Sequence, residues 1–294
     1  VMEGPRAREL ADFANNYRPG PRSLPDVRLE MLRSPQLGTT FRHGFKYPDA
    51  IRADEAVKVL LAQIETAPLY WCSADMVSLV EAAHLTMPDQ KLEEIDPPSP
   101  HGLVFMETPF TDPDTSILGT DIPTNALLWM VNYVTDQDLW AVNIISLTNV
   151  GGDVGWFVPG FTTWPFGQCR QAAENPIDQA DRGRAATLWT LSQQSRVCPV
   201  ATSYPDRAAA RRLKAAGMPP TSGDVRLLDL RRPAGSNAAG GSHIEYSHRW
   251  MVSGHWRNQW MPASRTHRAQ WIAPHVKGPD DKPLVIRDDV RVVR

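Results

Sequence analysis

From Ile244 to Val252 the residues alternate, with Ile244, Tyr246, His248, Trp250 and Val252 on one side and Glu245, Ser247 and Arg249 on the other. Met251 is the one exception. Period-two alternation with β-branched and aromatic residues predicts a half-buried strand. Gly254 breaks it as a turn or bulge would. His255 to Trp260 resumes the extended pattern, with Trp256, Asn258 and Trp260 on one face and His255, Arg257 and Gln259 on the other. Ala269–Pro274 predicts a third strand, 277–281 a turn and Leu284–Val293 a fourth. The pattern therefore predicts a small antiparallel β-module over residues 243–294.

That stretch also concentrates the chemistry. Five of the eight histidines and four of the ten tryptophans fall between 243 and 275. Between 243 and 277, Arg249, Arg257, Arg265, Arg268 and Lys277 face a single acid, Glu245. Cations interleaved with aromatic rings suit a single-stranded nucleic acid, whose phosphates meet the cations and whose bases stack on exposed rings. Arg249, His255, Arg257, Gln259, Trp260, Arg265, Arg268 and Lys277 are thus the candidate residues for RNA or partner binding. The competing reading gives the rings a purely structural task, since small β-modules need large aromatics to fill thin cores.

Catalysis is the weaker alternative. A metal-independent ribonuclease needs an acid, a base and a cation at the phosphate, which His248, His255 and Arg257 can supply only if they converge. No Gly-x-Ser-x-Gly elbow marks a hydrolase. No thiol or carboxylate stands at zinc-like spacing from His248 or His255, so neither metal nor cofactor is expected. Gly151-Gly152-Asp153-Val154-Gly155 invites a phosphate-loop reading, yet it leads into the strand Trp156-Phe157-Val158 with no helix or Gly-Lys-Ser/Thr following, and reads as a turn.

The formal charge of −2 hides an uneven distribution. Residues 225–294 carry 12 basic and 6 acidic groups, whereas residues 47–224 carry 11 and 22. A basic end beside an acidic middle predicts either contact between the two or an anionic partner. Cys72, Cys169 and Cys198 are too few and too scattered for a disulfide framework. With no leader-like segment and no apolar run long enough for a bilayer, the expected setting is the cytoplasm, with no membrane partner.

Ahead of the module, residues 1–50 are rich in Pro, Arg and Gly and read as an extended arm, with a short helix near Ala7–Asn15. Residues 51–232 read as an α+β body, an antiparallel sheet with flanking helices. Val57, Leu60, Leu61 and Ile64 place one apolar stripe on a helix over Asp54–Glu65. Ser73 caps a second helix, with His84 at its boundary. Leu103–Glu107, Leu127–Tyr133 and Leu139–Leu147 are strands, the last two forming a hairpin. Pro159–Gly167 reads as turns in which Trp164 and Phe166 plug the core. Helices are expected over Ala185–Arg196 and Asp206–Ala216, the latter capped by Asp206 and ended by Gly217, and a strand over Val225–Leu230. Residues 233–242, rich in Gly, Ala and Ser, form the expected flexible linker.

Several of these residues carry a resemblance. Val225–Arg232, His248-Arg249-Trp250, Gly254-His255-Trp256-Arg257-Asn258-Gln259 and Trp271–Pro279 resemble a protein family encoded by actinobacterial phages, prophages and plasmids. The Gly-His-x-Arg core followed by Trp/Val-Ile/Val-x-Pro is similar to the broader set that contains a type V anti-CRISPR inhibitor, which promotes decay of its effector's mRNA. The resemblance implies an accessory protein acting on a host target, in anti-defence or control of gene expression, with RNA or a ribonucleoprotein as partner. Trp260-Met261-Pro262-Ala263-Ser264 departs from the Tyr-Gly-Pro-Gly common in that family. A factor that binds only protein, with its basic module on an acidic surface, stands as the other reading.

Overall fold

A computed structural model describes residues 4–44, 50–94, 97–111, 123–134, 138–173, 175–231, 248–263, 265–279 and 282–285. The linker over 233–242, the strand residues 244–247 and 286–293 and the hairpin residues 135–137 lie outside that set. The architecture is α+β, as the sequence predicts.

Its centre is a seven-stranded mixed sheet. The strands are β1 (Leu69–Cys72), β2 (His101–Phe110), β3 (Thr124–Val134), β4 (Leu139–Asn149), β5 (Trp156–Pro165), β6 (Ala201–Ser203) and β7 (Val225–Leu228), in spatial order β5-β4-β3-β2-β1-β7-β6. From β2 to β5 the chain is an antiparallel meander. β1 lies parallel to both β2 and β7. Val134 pairs with Leu139, which closes the expected β3–β4 hairpin.

Both faces of this sheet are buried. Tyr70, Val104, Leu127, Trp129, Val142 and Ile144 point to one core. Leu69, Leu103, Phe105, Leu128, Ile145 and Leu147 point to the other. Burial on both sides explains why the central strands are apolar almost without interruption.

The second core is closed by α1 (Gly4–Asn16), α2 (Leu24–Arg33), α3 (Pro35–Gly44) and α4 (Ala50–Thr66). Residues 4–44 thus hold three helices, and not an extended arm. Their apolar residues, Leu24, Val27, Met31, Leu37 and Phe41, pack against the sheet. Burial there overrides the weak periodicity that Pro and Gly leave in the sequence. Arg28 is sealed among them, donating to the carbonyls of Glu65, Ala67 and Ser222. Burial pushes its pKa down to about 10, partly offset by Glu65.

The other core is covered by α5 (Ala74–His84) and α6 (Pro176–Ser192). Ser73 caps α5 as expected, accepting from the Met76 amide. α6 begins nine residues before the expected Ala185. Asp181, Arg182 and Arg184 in that added stretch are buried. Arg184 pairs with Glu81 on α5 at 3.1 Å, and the Asp181 carboxylate accepts from Thr162 at 3.3 Å. α7 (Arg207–Ala215) is capped by Asp206 and stops at Gly217, whose φ is +81°.

β5 runs through the stretch expected to be turns. It is an edge strand, and Pro159 lies where its register with β4 shifts, the position a proline tolerates. Its outer edge is blunted by hydroxyls from the helical layer, Ser34 accepting from the Trp156 amide and Thr40 from the Val158 amide. Trp164 is fully buried and stacks on Trp189 of α6. No helix among the described residues is long and apolar enough to cross a membrane.

Candidate nucleic-acid interface

Four further strands form an interrupted ribbon: β8 (Arg249–Val252), β9 (His255–Met261), β10 (Thr266–Ile272) and β11 (His275–Lys277). β8 pairs with β11 and β9 with β10, all antiparallel. Trp250↔Lys277, His255↔Ile272 and Met261↔Thr266 keep one register through the break, where Ser253-Gly254 lies opposite Ala273-Pro274. Pro274 has no N–H to give the ladder, and pairing lapses there. Among the described residues the expected antiparallel β-module is two small sheets, and β12 (Leu284–Val285) departs from it by joining β8 in parallel.

One face of the ribbon is anchored in the body. Ala269 and Trp271 are buried in the same core as Trp189 and Leu188 of α6, and Trp256 packs against it. Trp256 and Trp271 meet edge to face, with centroids 5.2 Å apart. Trp256 Nε1 donates to the carbonyl of Ala83, in the last turn of α5, at 2.9 Å. Gly254 makes this approach possible, because a Cβ there would stand 2.5 Å from Cζ2 of Trp271. Its φ is unremarkable, and the space under the indole is what requires glycine.

The opposite face carries the ribbon's polar residues, with Ile272 and Met261 at its two ends. Strand alternation sends His255, Arg257 and Gln259 outward from β9, together with Arg268 and Gln270 from β10. Arg257 lies opposite Gln270, and Gln259 opposite Arg268. Arg257 Nη2 donates to the Gln259 side-chain oxygen, and Gln259 Nε2 to the Trp260 carbonyl at 2.9 Å. His255 Nδ1 lies 3.1 Å from the Ser253 carbonyl. That oxygen can only accept, so Nδ1 carries the hydrogen and Nε2 is left for a partner. Gln270 is the member of this face that reading single strands missed, since it emerges only from the cross-strand register.

The tip adds a second kind of surface. Trp260 is 45% exposed and lies against His267, with ring centroids 4.9 Å apart. Arg265 holds a φ of +52° in the exposed turn between β9 and β10.

The remaining predicted residues lie elsewhere on the ribbon. Arg249 is half-buried and donates to the Lys282 carbonyl at 2.8 Å. Lys277 is exposed opposite Trp250. His248 packs its ring against Trp250 at 6.0 Å. It lies seven residues from His255, roughly 20 Å along an extended chain, and at a position of opposite facing. Strand alternation thus gives no support to the convergence that the ribonuclease reading requires. Among the described residues no group of three or more His, Cys, Asp or Glu could hold a metal ion.

Beneath the ribbon lies a charged contact between α5 and α6. Glu81 accepts from Arg184 and stands 3.5 Å from His84 Nε2. Burial alone would raise the Glu81 pKa, but the His84 hydrogen bond and the Arg184 charge together bring it below the usual carboxylate value.

No protein-family model matches this chain, and no curated protein does. Among solved structures, the crystal structure of AcrVA2 is similar over 94% of this chain and 99% of that one, at 11% identity and a TM-score of 0.42. A likeness so slight carries no argument about function.

Proposed function

We propose that this is a regulatory accessory protein of the kind carried by phages and mobile elements, and that its C-terminal ribbon binds RNA, free or in a ribonucleoprotein. The observation that carries the reading is the outward face of β9 and β10. Two guanidiniums, two amides and an imidazole share it, and the sequence from 248 to 279 contains no acid. Such a surface supplies cations for phosphates, the exposed Trp260–His267 pair at the tip, on the Trp256 side of the strands, supplies a ring for stacking, and the anchored inner face holds the backbone still. Binding without turnover is favoured, because strand alternation places His248 and His255 at positions of opposite facing. The motif resemblance supports a role in controlling host gene expression, with the α+β body selecting the target.

The test is fluorescence anisotropy with a labelled single-stranded 15-mer RNA between about 50 and 200 mM salt. Binding that weakens with salt and is lost in the double variant Arg257→Ala/Arg268→Ala supports the reading. A chain that ignores RNA at the lowest salt sinks it and favours a purely protein partner.

A further inference from the structure

We infer that the outward face selects purines in an unpaired RNA strand, reading their Hoogsteen edges, with guanine foremost. The inference rests on the RNA reading above and narrows it. The paired register places Arg257 beside Gln270 and Gln259 beside Arg268, so arginine and glutamine alternate along and across the ribbon. These two side chains match purine edges. A guanidinium fork donates twice to guanine O6 and N7, and a carboxamide both accepts from adenine N6 and donates to N7. The Gln259 side chain holds Arg257 through one of its five N–H groups, which orients the fork and leaves four for a base.

The complementary chemistry is missing. Cytosine offers an N4 donor that Asp or Glu would accept, and residues 248–279 contain neither. Paired RNA is excluded by shape, since its deep, narrow major groove hides these edges from side chains. An unpaired strand exposes them.

The experiment uses the full chain and four labelled probes at one salt concentration. They are an alternating G-A RNA 15-mer, the same strand built from 7-deazapurines, a U 15-mer, and the G-A sequence as duplex DNA. The 7-deaza strand keeps purine stacking but lacks N7, which separates edge reading from stacking. The expected result is binding of the G-A strand about tenfold or more tighter than the U strand, the gain of one good bidentate contact. The 7-deaza strand should fall to the level of the U strand, and duplex DNA should bind more weakly than the G-A strand. Arg257→Lys, which keeps the charge and loses the fork, should erase the preference.

Equal binding of the G-A and U strands would overturn purine selection and leave RNA binding standing. So would a 7-deaza strand as tight as the natural one, an Arg257→Lys variant that keeps the preference, or tighter binding of duplex DNA. Absence of binding to every RNA would overturn both.

Discussion

The indole nitrogen of Trp256 donates to the Ala83 carbonyl across 2.9 Å, joining the ribbon to the open C-terminal end of α5. That carbonyl already accepts from the Thr86 amide at 3.2 Å, so the indole is a second donor to it, and its main effect is to seat the strand against the helix end. Trp256→Phe keeps an aromatic ring but removes the donor and part of the indole's packing against the core. It should cost at least about 0.5–1.5 kcal/mol, read as a lower urea midpoint with an unchanged slope. An unchanged midpoint would show that the bond contributes nothing net.

Gly254→Ala should be more damaging than its size implies. The new methyl would stand 2.5 Å from the Trp271 ring and 3.1 Å from Cδ of Pro274. Overpacking of this kind costs about 1–3 kcal/mol, and the melting temperature should fall by several degrees. An alanine variant as stable as the native chain would mean that Trp271 can move aside.

The Glu81 carboxyl links stability to acid. Its folded pKa is below the ordinary 4.5. The stability it contributes is therefore fully present above the unfolded value and is lost as pH falls through the folded one. Thermal melts between about pH 3 and pH 6 should show a loss below about 4.5 that Glu81→Gln reduces. Identical acid profiles for the two proteins would show that other carboxylates govern the loss.

Salt dependence counts the cations that meet phosphates. Five cations, as counted along the sequence, would give a log–log slope of roughly −3.5 on a single strand. The structure ties Arg249 to the Lys282 carbonyl and sets Lys277 opposite Trp250, away from the outward face. Arg257, Arg265 and Arg268 remain, for a slope of about −2. Replacing Arg265 and Arg268 with Ala should bring it below about −1 in magnitude. A slope near −3.5 in the native chain would put Arg249 and Lys277 back at the interface.

His255→Ala and Arg257→Ala should leave the melting temperature within a few degrees, since both side chains are exposed, while weakening RNA binding. Loss of folding in either variant would assign the pair a structural task instead.

The sequence by itself determined the local elements. The stripe of Val57, Leu60, Leu61 and Ile64 requires α4, the caps Ser73 and Asp206 set the starts of α5 and α7, and alternation after Gly254 assigns His255 and Arg257 to one face. Each depends on residues within a turn or a few positions of one another. Tertiary structure decided what depends on distant partners. The helices of the first fifty residues form because Leu24, Met31 and Phe41 find the sheet. Arg182 and Arg184 are buried because carbonyls, Glu81 and aromatic rings receive them. Gln270 joins the outward face only through its pairing with Arg257. The ribbon is seated because Trp256 reaches Ala83, 173 residues earlier in the chain, and no local pattern encodes a contact of that span.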